Sequence, residues 1–248
     1  MDWTFGLALL VGFAPVFLMM DWVLKKYTYP RVENPFFRDT TFFGMLTVGI
    51  VAGAAMFIFL RVFQILEQPL AIIYMILMAL VELMAMVVIM NLKRFRGNSD
   101  SIFYGYGLGL GMAGGMATGF AYILCMVIAD PEIEANVVDP FTIAVYVIGL
   151  SVSMTLIFGS CGTNIGEGIA RHIPMQFVLQ AAIPLVAYNM LLAVLWTSEG
   201  VMFYVLIIAM VAVGAFYFHK CLFRNLPRII REVLKMNGQK RDDIPKAR

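Results

Sequence analysis

Residues 105–119 read Gly-Tyr-Gly-Leu-Gly-Leu-Gly-Met-Ala-Gly-Gly-Met-Ala-Thr-Gly and lie inside a long apolar segment. Gly111, Gly115 and Gly119 recur at every fourth position of this stretch. At 3.6 residues per helical turn they fall on one helix face, which we call the glycine ridge. In lipid, helices associate through close packing of small residues and through hydrogen bonds between helices. The ridge is therefore predicted to be a contact surface, either an internal seam with another helix of this chain or the binding surface for a different protein.

The rest of the chain has the composition of a polytopic membrane protein. Hydrophobic residues make up 61% of the 248 residues, charged residues 14%, and the mean hydropathy is +0.85. Such values exclude an ordinary soluble domain. Runs of roughly 20 apolar residues predict seven transmembrane helices, at 5–24, 41–63, 70–91, 102–129, 141–160, 173–196 and 201–222. We expect an all-α fold with one transmembrane domain, residues 1–222, in contact with lipid and without a nucleic-acid partner.

The distribution of charge predicts the orientation of these helices. If the amino terminus is outside, 17 of the 18 lysines and arginines fall on the inner side, and Arg61 alone falls outside. Because basic residues concentrate in cytoplasmic loops, we expect the amino terminus outside and the carboxyl terminus inside. We also expect a multi-pass protein of the plasma membrane.

Three polar residues are predicted to lie within the membrane. Glu82 is near the middle of the third span, about 15 Å from the inner loop, at a depth similar to that of Gly111. It would face the glycine ridge if the third and fourth helices were neighbours. An intramembrane carboxyl is a candidate functional site, although a protonated Glu82 that only fixes packing is an alternative. Gln180 and Asn189 flank Pro184 in the sixth span, where the proline leaves a helix carbonyl without its donor.

The inner ends of the last helices carry two further patterns. The glycine-rich residues 159–168 are interpreted as a connection that follows the fifth span. Residues 223–248 are predicted to form a basic amphipathic helix and then a disordered cytoplasmic tail. The basic side chains are expected on the anionic inner leaflet; they are Arg224, Arg228, Arg231 and Lys235. The three cysteines are dispersed, and neither a metal site nor a cofactor is predicted.

The order of these motifs resembles a known superfamily. Val81-Glu82-Leu83, a short basic loop and then residues 99–111, with their Tyr-Gly-x-Gly-x-Gly pattern, follow the order of PrsW-type and CAAX-processing glutamic proteases of the membrane. The same order is found in the anterior-pharynx-defective scaffold subunit of γ-secretase, which shares their fold. The resemblance covers about residues 13–122, and its glycine pattern is weakly specific on its own.

The departures from the protease pattern favour the scaffold branch. The proteases carry a second acid beside the first and a basic residue one turn later, whereas here Glu82 is flanked by Val81 and Leu83. Without partners that hold water and stabilise an oxyanion, hydrolysis is not expected. The resemblance therefore implies a non-catalytic scaffold that binds another integral membrane protein through Gly111, Gly115 and Gly119. A presenilin-like protease is one such partner.

Two other functions are kept as alternatives. The first is an active intramembrane protease that uses Glu82 together with Gln180, Asn189 or His219. The second is a small-molecule carrier or receptor with a polar cavity between the third, fifth and sixth helices. We also expect that a Gly115→Leu variant would lose the partner of the scaffold while its own fold is kept.

Overall fold

The computed structural model describes residues 3–29, 31–32, 35–129 and 140–236. Within these ranges the chain is helical and forms no strand. The helices in chain order are α1 (Trp3–Leu24), α2 (Asp39–Val62), a short 3₁₀ helix (Ile65–Glu67), α3 (Ala71–Met90), α4 (Ser101–Ala129), α5 (Pro140–Ala170), α6 (Pro174–Trp196), α7 (Gly200–Phe218), a π-helical segment (His219–Asn225) and α8 (Leu226–Met236).

Helices α1 to α7 are each long and apolar enough to cross a membrane, which confirms the all-α, seven-helix prediction. The orientation of the termini stays a prediction. The predicted tail from residue 237 lies outside the described residues.

The central helix of the bundle is α4. In its most apolar window 72% of the residues are buried, against 61% for α5 and 44% or less for the other five. Glycines explain how three helices reach it. Gly111 and Gly115 pack against the backbone of α2, Gly105 and Gly109 against the backbone of α5, and Gly114 against Phe13 of α1.

Helix α5 extends ten residues beyond the predicted end at Ser160 and finishes at Ala170. The interpretation of residues 159–168 as a connection was wrong. Gly162 contacts the backbone of Gly105, and Gly166 contacts the backbone of Ser101 and Ile102. These glycines therefore allow close helix contact, and they do not form a turn.

The basic amphipathic helix is present as α8, but its apolar face meets protein. Leu226, Ile230 and Val233 are at most 1% exposed and belong to the same core as the membrane helices. The chain reaches α8 without a break, because α7 continues through the π-helical segment. In that segment Phe223 packs against Trp22, with the ring centroids 4.5 Å apart. An apolar face that is buried in the bundle cannot insert into a leaflet, so we no longer expect α8 to bind a membrane by that face.

Candidate functional site: a buried carboxyl between α3 and α6

Glu82 lies in the buried stripe of α3 and is completely inaccessible to solvent. The stripe follows helical spacing, and its members are Met75, Met78, Ala79, Glu82, Leu83, Met86 and Met90. A carboxyl thus occupies a position that every neighbour in the stripe fills with an apolar side chain. Helix α3 packs mainly against α6, so Glu82 faces α6 and not the glycine ridge. The sequence left the orientation of Glu82 open, and the structure turns its carboxyl towards α6.

One side-chain amide contacts the carboxyl. Asn189 Nδ2 donates to Glu82 Oε2 at 3.0 Å and also to the carbonyl oxygen of Leu185 at 3.2 Å. The second bond stays within α6 and fixes the rotamer of the asparagine. Glu82 Oε1 is buried and has no hydrogen-bond partner. Unpaired buried oxygens are costly and rare, so this atom is the unusual feature of the site.

A second polar pair lies beside the first. The hydroxyls of Tyr188 and Ser153 are 3.1 Å apart, and both side chains are fully buried. Ser153 also donates to the carbonyl oxygen of Leu150 at 3.0 Å. Tyr188 directly precedes Asn189, the partner of Glu82, in α6. The sequence signal that could have identified Tyr188 is a phenol placed next to an asparagine in the second half of α6, which is otherwise apolar.

The other predicted partners of Glu82 are not brought to it. Gln180 lies on the exposed face of α6, and His219 is exposed at the start of the π-helical segment. Helices α3, α5 and α6 contain no Lys, Arg or His within their bounds. Glu82 therefore has a neutral amide where a protease would need a base or a second acid.

The glycine ridge is occupied within the chain. A Cβ atom at Gly111 would overlap the carbonyl oxygen of Leu46, and one at Gly115 would overlap that of Ile50, both on α2. Gly119, which is partly exposed, faces the ring of Phe57. This face of α4 is therefore an internal seam with α2, the first of the two alternatives for the glycine ridge.

Any protein that contacted the glycine ridge would first have to displace α2. Because a leucine at position 115 would separate α2 from α4, we withdraw the expectation that Gly115→Leu leaves the fold intact. Partner binding by the protein as a whole stays a prediction.

The four basic residues predicted for the membrane surface are exposed: Arg224 in the π-helical segment, and Arg228, Arg231 and Lys235 in α8. Part of their charge is used within the helix, because Arg228 Nε donates to Glu232 at 2.9 Å. Glu232 also accepts from Arg171 at 2.6 Å, and Arg171 forms an ion pair with Glu167 at 2.7 Å. This network connects the end of α5 to α8. It also places the basic face outward, where contact with anionic lipid headgroups stays a prediction.

Within the described ranges, no three His, Cys, Asp or Glu side chains converge in a way that could hold a metal ion. The three cysteines are buried and free. A comparison of the chain with protein-family models, with curated proteins and with solved structures finds no match.

Proposed function

We propose that this chain is a non-catalytic scaffold of the membrane that binds another integral membrane protein. The observation that carries the proposal is the state of Glu82. It is fully buried, its carboxyl contacts one amide, and helices α3, α5 and α6 carry no Lys, Arg or His. Water has no access to this carboxyl, and no group beside it could stabilise an oxyanion. These features of Glu82 favour the non-catalytic branch of the resemblance to glutamic proteases.

The seams of α4 make the bundle a rigid body, since close contact of backbones leaves little room for sliding. A partner would then meet a fixed surface. A cleft of about 850 Å³ lies beside the 3₁₀ helix, where α3 begins and α6 ends. It is lined by Leu66, Pro69 and Ile73 on one side and by Val194 and Trp196 on the other. We place the partner in this cleft and not on the glycine ridge.

Purification from the native membrane tests the proposal. Tagged protein is extracted in mild detergent, and co-eluting proteins are identified and quantified by mass spectrometry. We expect a membrane protein in stoichiometric amount, and a presenilin-like protease would agree with the γ-secretase resemblance. Ile73→Trp, which places an indole ring in the cleft, should release this partner.

Ile208→Trp on α7 is the matched control, because Ile208 is 68% exposed and does not line the cleft. This variant should retain the partner. A protein that elutes alone, or a partner that both variants retain equally, would contradict the proposal.

The protease alternative makes the opposite prediction for Glu82. If Glu82 activates water, Glu82→Gln should abolish cleavage of a membrane substrate at unchanged expression. If the scaffold proposal is right, Glu82→Gln keeps the partner and the processing of that partner's substrates. The glutamine amide can still accept the hydrogen bond from Asn189, so this variant separates chemistry from folding.

A further inference from the structure

A groove lies between α2 and α3 at the end of the bundle that holds the 3₁₀ helix. Helix α2 packs mainly on α4 and α3 mainly on α6, so these two chain neighbours form no seam with each other. The space between them has a volume of about 470 Å³. Small-molecule sites in proteins have volumes of about 300–1,000 Å³. We call this space the α2–α3 groove.

Each wall of the groove is one face of a helix. Phe59 and Phe63 lie one turn apart on α2, and their ring centroids are 4.6 Å from each other. On α3, Tyr74, Leu77 and Val81 follow at the spacing of one helix face. All five side chains are about half exposed, so they border space that lipid can enter.

The floor of the groove is closed by protein. Ile65 of the 3₁₀ helix and Met78 of α3 line it and are 8% and 2% exposed. A molecule in the groove would therefore contact protein at both walls and at the floor, and it would meet lipid only at the open side.

The lining does not suit a transmembrane helix as the occupant. Helices that meet in lipid use small residues, which let their backbones approach, as Gly111 and Gly115 do on α4. The described residues that line the groove include no Gly, Ala, Ser or Thr. The cleft of about 850 Å³, in which we place the protein partner, does include such residues: Ala71, Ala193 and Thr197.

The lining does not suit a charged headgroup either. The described residues of the groove include no Lys, Arg, His, Asp or Glu, and Glu82, which follows Val81, is turned towards α6. The polar groups of the groove are the amide of Gln68 and the phenol of Tyr74. Neither side chain forms a hydrogen bond within the described ranges. A ligand hydroxyl can donate to one of these groups and accept from the other.

The groove extends through about one leaflet of the membrane. Val81 is ten residues beyond Ala71, the first residue of α3, which is about 15 Å at 1.5 Å per residue. The hydrocarbon core is about 30 Å thick. Gln68 precedes α3, and Tyr74 lies in its first turn. The polar pair is therefore near the membrane surface, and the apolar lining continues from there towards the middle.

A rigid lipid suits this groove better than an acyl chain does. An acyl chain loses rotamer freedom when it is confined between two walls, whereas a fused ring system has little such freedom to lose. The ligand that fits the groove is thus neutral, rigid and apolar, with one hydroxyl at its end.

We propose that the α2–α3 groove binds a sterol. The sterol hydroxyl meets Gln68 and Tyr74, and its ring system lies between the two phenylalanines of α2 and Leu77 of α3. Gln68 is the only described residue that this site shares with the cleft of the protein partner. The inference does not depend on the scaffold role.

Photolabelling tests the site. The full chain is placed in phosphatidylcholine nanodiscs that contain a cholesterol analogue with a diazirine in its ring system. After irradiation, the labelled peptides are identified by mass spectrometry. We expect labels within residues 59–81, and excess cholesterol should remove them. Cholesteryl methyl ether, which cannot donate a hydrogen bond, should compete less well.

Two leucines of α3 provide a matched pair. Leu77 lines the groove and is 53% exposed, whereas Leu80 is 45% exposed and lines neither the groove nor the partner's cleft. Leu77→Trp should abolish the labels, and Leu80→Trp should keep them. Tyr74→Phe should lower the affinity for cholesterol about fivefold, the factor expected for one lost hydrogen bond.

Gel filtration shows that each variant is folded. Labels spread over all lipid-facing helices, equal labelling of the two tryptophan variants, or full competition by cholesteryl methyl ether would overturn the proposal. Partner retention is measured separately. Leu77→Trp should keep the protein partner and Ile73→Trp should keep the sterol, so the failure of one proposal is distinguishable from the failure of the other.

Discussion

Towards α4, helix α5 packs through Gly162 and Gly166, whose backbones touch the backbone of α4 directly. Towards α6, α7 and the π-helical segment, the same helix packs through polar side chains such as Ser153, Thr142 and Asn164. Small residues give contact without hydrogen bonds, and polar residues give hydrogen bonds at a longer separation. Both solve the problem that lipid provides little hydrophobic drive for helix association. Substitutions on the two sides should therefore differ in how much they lower the free energy of unfolding.

The largest effect is expected at the seam of α2 and α4. Gly111→Leu should cost about 3 kcal/mol or more, because its side chain meets backbone atoms of Leu46 and Ile50 that cannot move aside. The measurement is the fraction of monodisperse protein after extraction in detergent.

Gly44→Leu is the control for this variant. Gly44 lies on α2, and a Cβ there would meet no atom within 4 Å. Since leucine favours helix over glycine, this variant should be at least as stable as wild type. Equal losses for both variants would show that the seam is not close packed.

A smaller loss of stability is expected from substitutions at the polar contact between α3 and α6. Glu82→Leu should destabilise the bundle by about 1–2 kcal/mol, because the Asn189 amide loses its acceptor in a site without water. The stability of the Glu82→Gln variant should be closer to that of wild type. Thermal unfolding in detergent compares the two variants, and a leucine variant more stable than the glutamine variant would indicate that Glu82 is not held by Asn189.

The smallest loss of stability is expected from substitutions at the ion pairs between the end of α5 and α8. Arg171→Gln removes the ion pairs with Glu167, which is buried, and with Glu232, which is partly exposed. Because Arg171 itself is partly exposed, the change should cost about 1 kcal/mol. Hydrogen exchange of residues 226–235 should become faster, and high salt should have the same effect on wild type.

Arg61→Gln is the comparison for Arg171→Gln, since the Arg61–Glu67 pair is about half exposed on both sides. It should leave exchange in α8 unchanged. Unaltered exchange in Arg171→Gln would mean that the apolar face alone holds α8.

The sequence predicted the helices well because an apolar run of some 20 residues is typical of a transmembrane helix and of few other structures. The prediction was wrong where one residue pattern fits two kinds of structure. Gly162 and Gly166 read equally well as a turn and as a packing surface, and the contact with α4 decides between them. The amphipathic pattern of α8 predicted a helix, yet the same pattern fits a membrane surface and a protein surface.

The sequence predicted which residues belong to the candidate site, but not which of them contact each other. Glu82 and Asn189 were both identified as intramembrane polar residues. These two residues face each other because α3 packs against α6. The sequence of a single helix does not determine which helices become its neighbours in a bundle. Gln180 illustrates the same limit, since it shares α6 with Asn189 and points to the exposed side.

Helix α4 carries glycines for α2 on one face and glycines for α5 on another. Insertion of a single residue between Gly107 and Leu108 would turn everything beyond it by about 100° and shift it by about 1.5 Å along the helix axis. Leu108 and Leu110 would then take the places of Gly109 and Gly111, and their side chains would overlap the backbones of α5 and α2. Related sequences should therefore vary in length in the loops around α4 and keep the length of this helix constant.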